Sequence, residues 1–119
     1  MFWQKYKSKK TVIDGIPFSS QLEARFYKSM IEDPRIKIEA LQPHFILQEW
    51  FIHDGKKIRP IEYVADFTIN VDWDIYHVDS KGFETPDFRL KKKLWLYKYW
   101  KEQRLLVVKS IKELHKILF

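Results

Sequence analysis

Asp66, Asp79 and Lys81 are two carboxylates and an amine within the stretch ADFTINVDWDIYHVDSKGF, Ala65–Phe83, whose other residues read as β-structure. Strand side chains alternate between faces, so Asp79 shares a face with Lys81 and His77, and Asp66 with Val64 and Thr68. Folding the stretch about an even-length turn centred between Asp72 and Trp73 sets Val71 opposite Asp74, Ile69 opposite Tyr76 and Asp66 opposite Asp79. Directly opposed β-carbons lie about 4.5–5.5 Å apart. Val64 then falls opposite Lys81, and the three charged groups meet on one patch. Asp-Trp is not a favoured pair for a two-residue turn, and a four-residue loop keeps the same register.

Opposed like charges destabilise a sheet, and a close carboxylate pair raises one of its own pKa values. A divalent cation removes that conflict, and oxygen-only ligation suits Mg2+ or Mn2+. A metal held in this way polarises a phosphoryl oxygen and lowers the pKa of a bound water. A neighbouring ammonium orients that water or stabilises charge developing on the phosphate, and Lys81 is placed for either role. The chemistry that needs these groups is phosphodiester hydrolysis. Glu23 offers a third carboxylate, since it precedes Phe26, Tyr27 and Met30 at helical spacing and leans toward their apolar stripe. It also follows Ser20 by three residues, as a capping box requires. His77 reads as a hydrogen-bonded sheet histidine rather than a ligand.

These side chains need a scaffold, and the chain outlines one. SSQLEARFYKSMIED opens at a Ser20–Glu23 cap and stops at Pro34, which predicts a first helix. IEALQPHFILQEWFI predicts a long strand irregular at Pro43, followed by a turn at HDGKK in which Gly55 supplies the permissive backbone. IEYVADFTIN and DIYHVDSKG predict two more strands. Thr85, Pro86 and Asp87 suit the N-cap, first position and first turn of a second helix reaching Tyr99 or Lys101. Leu105–Val108 predicts a short buried strand, and Ser110 with Glu113 caps a final helix. The order αβββαβα implies an α/β (α+β) fold, a mixed sheet flanked by helices on both faces.

The chain has 119 residues, enough for one domain. It is 45% hydrophobic and 17% aromatic, the composition of a packed globule. No apolar run is long enough for a membrane span, and the basic N-terminus has no apolar core after it to make a secretory signal. Without cysteine there is no disulfide, thiolate zinc site or cysteine nucleophile, which fits a reducing cytosol. A net charge of +6 favours a polyanionic partner, nucleic acid before membrane. The cations cluster. Lys5, Lys7, Lys9 and Lys10 form an acid-free arm over residues 1–10. A second run holds Arg89, Lys91, Lys92, Lys93 and Lys98 on the second helix, where they can position a DNA backbone without reading its sequence. The aromatics of that helix, Phe88, Trp95, Tyr97, Tyr99 and Trp100, read as core for some and a subunit interface for others.

Ala65–Asp66 followed by Asp79–Ser80–Lys81 resembles the two-part signature of the PD-(D/E)XK nuclease superfamily, with Ala65 where Pro is usual. The segments DGIPFSSQLEARFY, LQPHFILQ, IEYVADF and DSKGFETPDFRLKKKLW resemble a family of small phage-borne, Holliday-junction-resolvase-like nucleases, over roughly Lys9 to Trp100. The resemblance implies a restriction-endonuclease-like core and a Mg2+- or Mn2+-dependent DNA endonuclease acting on branched DNA. It implies Asp66 and Asp79 as ligands, Glu23 assisting, Lys81 as the catalytic lysine and the Ser80 carbonyl as a further ligand. A homodimer with two active sites and a cytoplasmic place in a phage-infected or prophage-carrying bacterial host go with it. The other reading is a non-catalytic basic nucleic-acid-binding protein.

Overall fold

Among the described residues, three turns have two central residues that both take positive φ: Asp14–Gly15, Asp54–Gly55 and Asp72–Trp73. Such backbone matches the twist of hairpin strands and closes them with two residues. The computed structural model describes residues 10–119. Lys5, Lys7 and Lys9 of the basic arm lie outside the described residues.

The first turn joins β1 (Thr11–Ile13) to β2 (Ile16–Phe18), a hairpin ahead of the helix from which the sequence reading begins. Asp-Gly between two short β-forming runs is its signal. In α1 (Gln21–Glu32) Ser20 caps the N-terminus, accepting from the Glu23 N–H at 3.1 Å, and the helix ends at Asp33 before Pro34. Its buried stripe includes Ala24, Phe26, Tyr27 and Met30.

The second turn closes one long, kinked hairpin. β3 (Lys37–Leu41), β4 (His44–Gln48) and β5 (Phe51–His53) run out, and β6 (Lys56–Ile58), β7 (Ile61–Val64) and β8 (Phe67–Val71) run back. Leu41 pairs with Phe67, His44 with Val64 and Phe51 with Ile58. The irregularity foreseen at Pro43 is a full break. Pro43 has no N–H to give a ladder, and Gln42 takes a φ of 50°. The returning strand, read from the sequence as continuous, breaks opposite it at Ala65–Asp66. Two backbone bonds bridge the gap, Gln42 N–H to the Asp66 carbonyl at 2.8 Å and Ala65 N–H to the Pro43 carbonyl at 3.1 Å.

The third turn leads into β9 (Asp74–Ser80). This loop has two residues rather than four. Thr85 then caps α2 (Pro86–Tyr99), β10 (Leu105–Val108) lies parallel to β9, and Ser110 caps α3 (Ile111–Leu118). The main sheet has the order β10-β9-β8-β3 and is mixed. On one face Phe67, Ile69, Val78 and Val108 pack against α1 and α3. On the other, Phe45, Tyr63 and Ala65 pack with Phe88 and Trp95 of α2. Burying each such large side chain contributes about 1.5–3 kcal/mol. The α+β architecture expected from the sequence is the one observed, with β1–β2 added in front and the first two strands of the meander broken. Among the described residues no helix is long and apolar enough to cross a membrane.

Candidate active site

β8 and β9 pair Val71 with Asp74, Ile69 with Tyr76 and Phe67 with Val78, the register read from the sequence. The Asp66 N–H continues the contact, donating to the Val78 carbonyl at 3.0 Å. Asp66 and Asp79 therefore meet at the end of the ladder, close enough for the charge of Asp66 to raise the pKa of Asp79.

Asp79 is 1% exposed. Its Oδ2 accepts from the Tyr63 hydroxyl, and its Oδ1 lies 3.8 Å from Lys81 Nζ. Burial, and after it the charge of Asp66, pushes the Asp79 carboxyl up to about 7; Tyr63 and Lys81 pull the other way. Asp66 is anchored from the facing strand, where Ser80 donates to its Oδ2 through both N–H (2.8 Å) and Oγ (2.6 Å). Ser80 thus orients Asp66 with its amide and hydroxyl.

Lys81 follows β9 directly, and its N–H donates to the Val108 carbonyl at 2.9 Å. Its ammonium sits 4.7 Å from the centre of the Phe88 ring, so α2 carries one wall of the site. Val64 does not oppose Lys81. It pairs with His44, because the kink at Ala65–Asp66 takes β7 out of the main sheet. The same kink brings Tyr63 to Asp79.

Glu23 divides its two roles between backbone and side chain. The N–H serves the Ser20 cap, while the buried carboxylate accepts from Ser19 Oγ at 3.1 Å. Its pKa is raised, by burial first and the charge of Asp66 second. Glu23 and Asp66 line one cleft of about 200 Å³, with Phe18, Leu41 and Gln42 among its other walls.

Among the described residues no three Asp, Glu or His side chains converge to form a complete metal cage. Mg2+ does not need one: it is commonly held by one or two carboxylates with water and substrate phosphate filling the rest. Asp66 and Asp79 fit that pattern. The donors around them are oxygens, and the carboxyls of Asp79 and Glu23 are raised by burial first and by the charge of Asp66 second, a cost of holding charge there that a hard cation relieves.

His77 is the sheet histidine the sequence indicates. Its Nε2 is 2.6 Å from Gln103 Oε1, its Nδ1 is 2.9 Å from Thr68 Oγ1, and burial lowers its pKa. On α2, Phe88 and Trp95 are buried and Tyr99 half-buried, while Tyr97 and Trp100 are exposed. Arg89 and Lys93 are exposed, and Lys91 and Lys92 flank the buried stripe, with Lys92 Nζ 3.8 Å from Glu84. Lys98 is used differently. Its ammonium donates to the Ile46 carbonyl at 2.7 Å and ties α2 to β4.

Tyr63, Ser19 and Gln42 belong to the site and were not singled out by sequence reasoning, and Phe88 was read there only as core or interface. Ser19 and Gln42 lay beside recognised features, the cap and Pro43. Tyr63 had no local signal, since unbroken alternation from Asp66 places it on the wrong face.

Comparison with curated proteins and with solved structures returned no match. Residues 3–115 match the family described as protein of unknown function (DUF1064), and the chain belongs to that family.

Proposed function

We propose that the chain is a divalent-metal-dependent DNA endonuclease that hydrolyses phosphodiester bonds, with branched or junction DNA as its substrate class. The observation that carries this reading is the buried Asp79 carboxyl, set beside Asp66 at the end of the β8–β9 ladder and 3.8 Å from the Lys81 ammonium. Asp66, Asp79 and the Ser80 carbonyl would hold Mg2+ or Mn2+, with Glu23 assisting. When bound, the ion supplies Lewis-acid polarisation of a phosphoryl oxygen and a lower pKa for its water.

The chain's own groups do the rest. Ser80 fixes Asp66, while Tyr63 and Lys81 favour the anionic form of Asp79. Lys81, seated on Phe88, offers its ammonium to the phosphate or the attacking water. Burial makes Glu23 more basic than a solvated carboxylate, which suits it to accept a proton. Arg89, Lys91 and Lys93 contact the DNA backbone. A homodimer in the cytoplasm of a phage-infected or prophage-carrying bacterium would place two sites on a symmetrical junction.

A non-catalytic nucleic-acid-binding protein is the second reading. One observation favours it: Tyr63, Lys81 and Ser80 already supply partners to both aspartates from within the chain. Cleavage of matched linear, flapped and four-way DNA with Mn2+ or with chelator separates the two. The nuclease reading expects cutting with metal alone, binding without cutting by Asp79→Asn, and a loss of about 100-fold or more in Lys81→Met. No cutting of any substrate leaves the binding reading. Undiminished cutting by Asp79→Asn overturns the site.

A further inference from the structure

The long hairpin does not end where the body of the molecule ends. Residues 48–60 are exposed without exception, on both faces of the β5–β6 ribbon. The radius of gyration, 16.1 Å, exceeds the roughly 13 Å of a compact chain of this length, as a projecting arm requires. A free two-stranded ribbon is marginally stable in water, and this one exposes large apolar side chains, with Trp50 52% and Ile52 59% accessible.

The arm's charges are arranged by strand. Lys56, Lys57 and Arg59 follow one another along the returning side with no acid between Gly55 and Ile61, while Asp54 sits in the tip turn. Register and alternation set Trp50, Ile52, Lys57 and Arg59 on one face, and Lys57 Nζ lies 4.7 Å from the centre of the Trp50 ring. That face combines cations with flat apolar surface. The major groove of B-DNA admits a two-stranded ribbon, and its walls are phosphates.

We propose that the β5–β6 arm is a DNA-gripping ribbon, in which Lys56, Lys57 and Arg59 seat on backbone phosphates and Trp50 and Ile52 lie against the groove. The proposal rests on the reading of the chain as one that acts on DNA. A second copy of this chain fits the arm poorly. The chain carries a net charge of +6, and lysines along an exposed strand discourage edge-to-edge pairing. The ribbon joins the end of β7 at Ile61, and the other end of that strand, Val64, lies two residues before Asp66.

The test uses the full chain and a labelled duplex of about 30 base pairs, with binding read by anisotropy in chelator so that no cutting occurs. The combined variant Lys56→Gln, Lys57→Gln and Arg59→Gln is expected to keep the parent's thermal midpoint. Its affinity is expected to fall roughly 10- to 100-fold and its log–log salt slope to flatten by about 2.7, or 0.9 per lost contact. Trp50→Ala with Ile52→Ala is expected to weaken binding while leaving that slope unchanged. Unaltered affinity and slope in the triple variant would overturn the grip. So would loss of self-association with DNA binding intact, which would make the arm a contact between copies. Cleavage by the parent with Mn2+ is scored separately, so a failed nuclease reading and a failed grip give different results.

Discussion

The Tyr63 hydroxyl donates to Asp79 Oδ2 from β7, a strand that pairs with β4 and makes no ladder with β9. The bond exists because the hairpin kinks at Ala65–Asp66 and swings β7 over the end of the main sheet. It favours the anion and draws the Asp79 pKa downward against burial.

Tyr63→Phe removes that bond and keeps the ring contacts with Phe45 and Phe88, whose centroids lie 6.2 and 6.0 Å away. The Asp79 carboxyl then binds its proton more tightly. On the nuclease reading, the acid limb of the pH–rate profile moves to higher pH and the alkaline rate is retained. A pH–rate series on parent and variant with Mn2+ checks this. A uniform loss of rate at every pH would assign Tyr63 to the fold alone.

Asp79→Asn tests the same carboxyl through stability in chelator. Its folded pKa is raised from 3.8 to about 7, so across that window the folded chain holds a proton that the unfolded chain has released. The stability this group supplies is fully present below the unfolded value and is lost as pH rises through the folded one. The variant has no such loss. Below pH 4 its Tm should match the parent's, and near pH 8 exceed it by roughly 10 °C or more, since a raise from 3.8 to about 7 is on the order of 4 kcal/mol at about 1.4 kcal/mol per unit. Mg2+ should raise the parent's Tm at the higher pH and leave the variant's unchanged. A parent more stable than the variant near pH 8 without metal would contradict the buried-charge account.

Lys98 and the pair Arg89 and Lys93 share a helix but should respond in opposite ways. The register of β4 with β7 shifts between Ile46 and Gln48, and the Ile46 carbonyl accepts from Lys98 Nζ at 2.7 Å and Tyr99 Oη at 2.9 Å. Lys98→Met should lower Tm by the equivalent of about 1 kcal/mol and leave the salt slope of DNA binding unchanged. Arg89→Gln with Lys93→Gln should flatten that slope by about 1.8 and leave Tm unchanged. Thermal melts and anisotropy titrations on both variants decide it.

Local chemistry made much of this legible. Thr85-Pro86-Asp87 and the two Ser-x-x-Glu caps fix helix starts within one turn, so all three helices lie where the sequence places them. The β8–β9 register followed from alternation about an even-length turn, and with it the meeting of Asp66 and Asp79. The break at Ala65–Asp66 was not legible, because IEYVADFTIN alternates smoothly through it. The break answers Gln42 and Pro43 on the partner strand, a non-local cause that also carries Tyr63 into the site. The β1–β2 hairpin was different: its Asp14–Gly15 signal stood in the sequence, masked by the neighbouring basic arm.

Trp73 sits in left-handed backbone with its side chain in solvent. It is 90% exposed with a φ of 71°, in a two-residue turn where glycine is the usual occupant. Asn70 holds the turn by accepting from the Trp73 N–H at 2.9 Å through its side-chain oxygen. Left-handed backbone costs a residue with a β-carbon about 1–2 kcal/mol, and glycine is spared that cost. Trp73→Gly should therefore raise Tm by about 3–6 °C, whereas Trp73→Ala, which keeps the β-carbon, should leave it near the parent's. Equal gains from both variants would locate the penalty in the exposed indole; a loss from glycine alone would mean that the indole stabilises the β8–β9 turn.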